Sequence, residues 1–524
     1  MLPAPDQLYQ ALASRDRRFE GSFVAGITST GIYCRPGCPA KLPRPENVRF
    51  YQCGAAAEEA GFRACLRCRP DRSPLLPAAA GTSATVTRAL HLLAQDGAGQ
   101  GLGPLCEKLG VGPRHLRRLF LQHLGASPQA VLRSQRLRFA RALLEESDLP
   151  MAELSLAAGF GSLRRFNAEV KRAFQSTPGA LRGKARGSAA LRSPVAPGRA
   201  ALAGTRALQS GPSAVPPPVE LSVSFAAPFD WAALHGFLAA RCLAGVECAD
   251  GASYARTVLL PGEDGPAPAI LRVSRDRRRP ALRVSVGPVA PRALPLVAAN
   301  VQRMFGCGQQ PARVAAHLAK DPLLGPVLAR HPGLRVPGGW DPFELAVRAV
   351  LGQQVSVKGA ATLARRLCEA HGAPLPEALR ARAAESGLGL ERLFPTARAL
   401  AAAGALRLRE IGLPGARAAA LHGVAAAVHE GRLDFGALAS RGLDEAVAAL
   451  VELPGLGAWT AHYLALRALG EPDAFPHGDL GLLRALRRER PKATIRDLHA
   501  RAEEWRPFRA TATIALWLAD SEGL

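Results

Sequence analysis

Hydrophobic periodicity, the pattern that tells a chain where its cores lie, breaks off twice in these 524 residues. A short stretch near Ser73 to Ser83 and a longer one from about Gly183 to Pro218, ending in three prolines, hold mainly Pro, Gly, Ala and Ser. Such segments read as linkers, so the chain must build separate cores on either side of them. At roughly 150 residues per domain, the length predicts three or four units. The boundaries that follow are 1–72, 84–185 and 219–524, with 186–218 as a flexible linker. In the last unit, alternation at Val219-Leu221-Val223-Phe225 and again at Leu282-Val284-Val286 predicts an antiparallel sheet within 219–300. From Asp341 the period becomes helical, which predicts a helical body within 301–524.

Charge narrows the class of partner. Lys+Arg 67 against Asp+Glu 43 leaves a net +24, which favours a polyanion, with nucleic acid ahead of an anionic membrane surface. Hydrophobic content of 48% excludes wholesale disorder. No apolar run reaches the roughly 18 to 20 residues of a membrane span, and the opening MLPAPDQLYQALASRDRRFEG has no signal-type apolar core. The expectation is a cytoplasmic protein with no membrane partner. Ten cysteines in so long a chain do not make a disulfide scaffold, and in a reducing compartment clustered ones bind metal or do chemistry.

Four of the ten form two close pairs, Cys34/Cys38 and Cys65/Cys68. Each pair presents two sulfurs to one ion, and two pairs separated by a loop are the spacing of a tetrahedral thiolate zinc site. The alternative is a pair of structural disulfides or unlinked thiols, and the reducing compartment disfavours disulfides. Cys53 lies nearby without a partner at ligand spacing and is expected to be buried, while Cys106, Cys242, Cys248, Cys307 and Cys368 are scattered core residues.

The segments TGIYCRPGC (30–38), ENVRFY (46–51) and AGFRACLRCRPD (60–71) resemble the N-terminal domain of the bacterial Ada adaptive-response regulators over nearly all of residues 1–72. That resemblance implies a single zinc ion on Cys34, Cys38, Cys65 and Cys68, and Cys34 as acceptor of a methyl group from a methylphosphotriester in DNA. A four-thiolate centre carries about two net negative charges, and methylating one sulfur removes one of them, so repair should raise affinity for the DNA backbone. Arg35, Lys41, Arg44, Arg63, Arg67 and Arg69 are candidate phosphate contacts.

Residues 103–125, GPLCEKLGVGPRHLRRLFLQHLG, read as helix, glycine-containing turn and second helix, and 152–174, AELSLAAGFGSLRRFNAEVKRAF, repeat that outline. With the trailing TPGALR, the pair is similar to the two-motif DNA-binding domain of AraC-type activators over about residues 84–185. Leu116, Leu119, Phe120, Phe160, Phe166 and Phe174 sit at core spacing. Arg114, Arg117 and Arg118 on the first recognition helix, and Arg164, Arg165, Lys171 and Arg172 on the second, are candidates for the major groove.

Residues 453–463, LPGLGAWTAHY, form a glycine-rich hairpin entering a helix, where Gly455 and Gly457 permit the turn and the helix amides suit a DNA phosphate. DAFPHGDLGL (473–482) follows, with Asp479 after a Pro and Gly loop. Together with WDPFELAVRAVLGQQVSV (340–357) these segments resemble the helix-hairpin-helix DNA glycosylases, in the AlkA-type branch, from about Val219 to the end. The resemblance implies Asp479 as the catalytic carboxylate, Trp459, Tyr463, Trp517 and Phe237 as the base pocket, and Gln354 as the residue filling the gap left by a flipped base. An electron-rich aromatic pocket suits a base made cationic by alkylation. Asp479 also fits a plain helix N-cap, and Trp231, Trp340 and Trp505 fit ordinary packing. Bifunctional relatives carry a Schiff-base lysine where Trp459 stands, so lyase chemistry is not expected. Two departures stand out: the best-known relative has leucine where Gln354 stands, and a pocket tyrosine following the catalytic aspartate is replaced by Leu480.

The expected architecture is therefore multidomain: a small α/β zinc domain, an all-α double helix-turn-helix domain, and an α+β glycosylase in which an antiparallel sheet joins helix-hairpin-helix domains. The implied function is a methylphosphotriester-sensing transcriptional regulator fused to a monofunctional DNA-3-methyladenine glycosylase II. The alternative is a regulator whose glycosylase-like part binds DNA without catalysis. Expected partners are double-stranded alkylated and promoter DNA and RNA polymerase, the expected state is a monomer, and no organic cofactor is implied. No cysteine has the ProCysHisArg context of a second methyl-acceptor domain, so repair of guanine O6 is not expected.

Overall fold

The computed structural model describes residues 2–16, 19–70, 84–95, 101–190, 215–439 and 441–523. The expected linker at 73–83 and most of that at 186–218 lie outside the described residues. The helix Pro178–Ala190 runs past the expected boundary at 185. At the far end, Arg382 holds the Val215 and Pro216 carbonyls, so the residues just before the sheet are tied to the helical body.

The first module is a four-stranded sheet in the order β3-β1-β2-β4, with β1 Val24–Ile27, β2 Ile32–Cys34, β3 Val48–Tyr51 and β4 Arg63–Ala64. The short helix Gly54–Glu59 buries Gly54, Ala55, Ala56 and Ala57, small residues that let it lie close against its neighbours. The next module repeats one unit twice. Gly110 at φ 63° and Gly159 at φ 78° end the first helix of each motif in the left-handed conformation that glycine adopts without strain. The second helices, Pro113–Leu124 and Leu163–Phe174, bury Leu116, Phe120 and Leu124, and Phe166 and Val170, on one face each.

These two modules share a core. Cys53, Ala55 and Ala56 lie in one apolar cluster with Leu116, Phe120 and Leu124, and the Cys53 thiol lies 3.4 Å from the Leu124 carbonyl. Glu59 accepts from both the backbone N–H and the hydroxyl of Ser127, and Glu145 bridges Arg69 and Arg141. The helix-turn-helix module, the reader below, in turn packs on the following sheet: Leu143, Leu144 and Leu154 join the cluster of Leu221 and Val223.

That sheet is antiparallel, in the order β5-β9-β8-β7-β6, with β5 Val219–Ser224, β6 Glu247–Ala249, β7 Ser253–Pro261, β8 Pro266–Arg275 and β9 Ala281–Gly287. Leu221 pairs with Val284 and Val223 with Leu282, so the alternating residues of both strands enter one buried face. Beyond the sheet the chain is helical to Glu522. No helix among the described residues is long and apolar enough to cross a membrane.

A buried ionic network joins sheet to helices. Glu344, on the helix Pro342–Leu351, lies 2.5 Å from Arg256 of β7 and 2.7 Å from Arg348. Glu247 of β6 lies 2.6 Å from Arg348 and 3.5 Å from Arg256, and accepts from the Tyr254 hydroxyl at 2.5 Å. Burial opposes the Glu247 charge, but Arg348 and then Arg256 outweigh it and hold the carboxyl below its ordinary value. Replacing Glu344 by Gln leaves two buried arginines with one carboxylate, and breaking a buried pair in this way costs about 3 kcal/mol or more. Thermal unfolding of the Glu344→Gln chain should show a midpoint lower by roughly 6 to 10 °C; an unchanged midpoint would mean that the network does not hold the two parts together.

Candidate functional site

The cysteine cluster is assembled by strand pairing. β2 and β4 run parallel with Ile32 opposite Arg63 and Tyr33 opposite Ala64, and the Cys65 N–H donates to the Tyr33 carbonyl at 3.0 Å. This register sets the end of β2, at Cys34, beside the end of β4, just before Cys65. Each strand then turns back within four residues: the Cys38 N–H donates to the Arg35 carbonyl and the Arg69 N–H to the Cys65 carbonyl. All four sulfurs lie within 4.8 Å of one another, and all four residues are buried. None of the ten cysteines is in a disulfide.

Four thiols this close cannot all ionise without a compensating cation. A hydrogen bond shared with Cys68, together with burial, holds Cys34 well above the usual thiol range. Burial pushes Cys38 up to about 11. The Cys34 hydrogen bond draws Cys68 down to about 6. The donor set, four convergent sulfurs with no carboxylate, fits a zinc ion.

Around this cluster Lys41, Arg44 and Arg67 are exposed, as a phosphate-facing role requires. Two other candidates already have acidic partners. Arg35 pairs with Glu20 at 3.4 Å and Arg69 with Glu145 at 2.9 Å, so Arg69 serves the junction with the reader. On the two recognition helices Arg114, Arg117, Arg118, Arg164, Arg165, Lys171 and Arg172 are all exposed. Arg172 is partly neutralised by Glu169 at 2.5 Å.

In the helical body Asp479 caps the helix Leu480–Glu489. Its Oδ1 accepts from the Leu482 N–H at 3.0 Å and from the Trp517 indole at 3.0 Å, while Oδ2 accepts from the Trp459 indole at 3.0 Å. The N-cap and the candidate site are thus one carboxylate in two roles. A Cβ at Gly481 would come within 3.0 Å of Oδ1, so this glycine keeps the carboxylate's near side open. Sequence reasoning passed over it, although it stands in the same GDLGL motif.

Three of the four expected pocket rings meet directly. Trp459 stacks on Tyr463 at 5.3 Å between centroids, and Tyr463 lies 6.1 Å from Trp517. A planar base between Tyr463 and Trp517 needs about 7 Å, two contact distances, so these rings must part slightly to admit one. Phe237, on the helix Trp231–Ala239, joins them through Arg467, whose guanidinium lies 4.9 Å from the Phe237 ring and 5.5 Å from that of Tyr463. Arg241 lies 3.7 Å over the Phe237 ring. The chain's own guanidiniums thus lie on two of the four expected pocket rings. The sequence analysis names neither arginine, though each stands four residues beyond a predicted pocket aromatic. Trp340 and Trp505 are buried packing residues, as expected. Leu480 is 65% exposed beside Asp479.

Gln354 is exposed, at φ 57°, in the loop between helices Pro342–Leu351 and Val357–His371. Its neighbour Gln353 ties this loop to the hairpin, donating to the Gly455 carbonyl at 2.8 Å and to Thr460 Oγ1 at 3.2 Å. The two hairpin glycines differ. Gly455 has φ +86° and a Cβ there would collide with Ala420, whereas Gly457 has an ordinary φ of −79° and open space about its Cα. The turn requires only the first, which corrects the pairing of the two.

Four families match the chain: the metal binding domain of Ada over residues 7–71, a helix-turn-helix domain over 105–184, the AlkA N-terminal domain over 220–341, and the HhH-GPD superfamily of base excision DNA repair proteins over 347–508. The chain is 38% identical to the probable bifunctional transcriptional activator/DNA repair enzyme AlkA of Mycobacterium tuberculosis, over 98% of this chain and 96% of that one. It is 34% identical to DNA-3-methyladenine glycosylase 2 of Escherichia coli over 56% of this chain and 95% of that one. To the bifunctional transcriptional activator/DNA repair enzyme Ada of Escherichia coli it is 36% identical over 30% of this chain and 42% of that one.

The hairpin geometry carries its own test. Gly455→Ala should cost about 2 kcal/mol or more in thermal or denaturant unfolding, since it combines a left-handed φ with a steric clash. Gly457→Ala should cost about 1 kcal/mol or less. Equal losses would contradict the distinction between the two glycines.

Proposed function

From its membership of the family of bifunctional transcriptional activators and DNA repair enzymes that includes the mycobacterial relative, we propose that this chain joins three activities on DNA. A sensor over 1–72 accepts methyl groups, a reader over 84–185 binds promoter DNA, and a glycosylase over 219–524 releases alkylated bases such as 3-methyladenine. The observation that carries the enzymatic part is the hydrogen bonding of Asp479. A carboxylate offers about four lone-pair positions. Three are taken by Leu482 N–H, Trp517 and Trp459, so one remains, on Oδ2.

That remaining position faces the chemistry. As the bond from C1′ to the base breaks, positive charge spreads over the sugar ring, and a fixed carboxylate stabilises it without reorganising. Water then completes hydrolysis at C1′. Trp459 stands where a lyase would need its lysine, which supports monofunctional hydrolysis. Gln354 enters the space of the flipped base, held in place by Gln353 on the hairpin. Gly455 and Gly457 bring the hairpin backbone to a phosphate.

At the sensor, Cys34 attacks the methyl carbon of a methylphosphotriester. The S–C bond forms, the C–O bond breaks, and its electron pair remains on oxygen as an ordinary phosphodiester. Cys38, Cys65 and Cys68 complete the ligand set for one zinc ion, which when bound keeps sulfur as thiolate at neutral pH. The loss of one negative charge from the cluster on methylation favours DNA. The reader's exposed arginines, Arg114, Arg117, Arg118, Arg164 and Arg165, with Lys171 and Arg172, then engage the grooves, and the promoter-bound protein acts on RNA polymerase. The protein works in the cytoplasm as a monomer.

Two measurements test this account. Abasic-site formation on methylated DNA should be seen with the full chain and fall by about a thousandfold or more in Asp479→Asn; no release by the unmodified chain leaves a DNA-binding regulator instead. Mass spectrometry after incubation with methylphosphotriester DNA should place one added methyl on Cys34. A methyl on another cysteine, or none, would refute the sensor.

A further inference from the structure

Charge at the junction between sheet and helical body does not balance. Glu247 and Glu344 pair with Arg256 and Arg348, and that square is neutral in itself. Its carboxylates are spent there, since Glu247 also accepts from the Tyr254 hydroxyl and the Leu243 N–H. Arg241 and Arg467 stand beside the square, and among the described residues neither forms an ion pair. All six side chains line one cavity of about 30 Å³, which four guanidiniums and two carboxylates therefore leave with an excess of positive charge.

The two surplus arginines are satisfied to different degrees. Arg467 is buried and donates from Nε to the Pro337 carbonyl, from Nη2 to the Gly338 carbonyl and from Nη1 to the Tyr463 hydroxyl at 2.7 Å. Arg241 makes one hydrogen bond, from Nη1 to the Phe237 carbonyl at 3.1 Å, and lays its face over the Phe237 ring. A guanidinium has more donors than that along its edge. Arg348 Nε is likewise buried without a hydrogen-bond partner among the described residues. Burial, with Arg467 and Arg348 nearby, brings Arg241 down to about 10, which leaves it charged at neutral pH.

Water can answer the hydrogen bonds of such a cavity but not its charge. A cation withdrawn from bulk solvent needs a counter-charge, and the carboxylates at hand are taken. One water needs roughly 10 to 15 Å³, so the volume admits a halide but not a phosphate group. We propose that this cavity binds one small monovalent anion of halide size, chloride in the first instance, between Arg241 on the sheet side and Arg348 and Arg467 of the body. Charge-assisted hydrogen bonds from both sides then tie the two parts together, and the anion fixes Arg241 over Phe237.

The test uses the full chain. Crystals grown without chloride and soaked in bromide should show an anomalous peak in the cavity, within hydrogen-bonding reach of Arg241. In solution, about 100 mM sodium chloride replaces sodium gluconate, whose anion is too large to enter. The exchange should raise the thermal midpoint of the unmodified chain by about 2 °C or more beyond the change seen in Arg241→Met. Arg241→Lys keeps the charge and should retain part of that gain. If Arg241→Met does not fold, Arg241→Gln, which keeps donors without the charge, takes its place with the same expectation. Water in the cavity with no bromide signal overturns the inference. So does an equal response of the full chain and the uncharged variant, which marks binding at crystal concentration only.

Discussion

The square of charge formed by Glu247, Arg256, Glu344 and Arg348 is the interaction on which the catalytic end of this molecule depends. Two of its members come from the sheet and two from one helix of the body, and all but Arg348 are nearly inaccessible to solvent. Arg348 also donates to the Arg241 carbonyl at 3.1 Å, so the network reaches the pocket wall. Phe237 is carried by the sheet subdomain's helix and Arg241 stands just past its end, whereas Tyr463, Trp517 and Asp479 belong to the body. The pocket therefore exists only where the two parts are held in register. Using ions for that purpose is costly to desolvate but intolerant of misalignment, because any shift leaves a buried charge unpaired.

Much of this was legible in the sequence for identifiable reasons. Thiolate ligands need short spacing, and Cys34/Cys38 with Cys65/Cys68 announce a metal site before any fold is known. Glycine ends helices, so Gly110 and Gly159 mark both reader turns. What the sequence did not yield were relations between segments distant in the chain. Arg241 and Arg467 meet over Phe237 although 226 residues separate them, and no periodicity signals that two cations will share a ring. Likewise Arg69 reads as one more surface charge until Glu145 is found beside it. Gly457 illustrates the opposite error: a glycine in a turn motif invites a conformational reason, and its backbone has none.

The two chemical centres handle charge in opposite ways. The cysteine cluster gathers potential negative charge that only a cation can settle, so its state is set by what it binds. The pocket instead keeps fixed charges of both signs apart, Asp479 at one end of Tyr463 and Arg467 at the other. Between these centres lies the reader, which shares apolar cores with both neighbours through Phe120 and Leu124 on one side and Leu143 and Leu144 on the other. Sensor, reader and enzyme thus meet through packed surfaces as well as through linkers.

Asp479, fixed by two indoles, is the carboxylate we propose to stabilise positive charge on the sugar. The most direct measurement compares the full chain's affinity for two duplexes, one with a pyrrolidine cation in place of the target sugar and one with an uncharged tetrahydrofuran abasic analogue. The cationic duplex should bind at least about tenfold more tightly, and Asp479→Asn should abolish the difference. Equal affinity of the unmodified chain for the two duplexes would contradict the account.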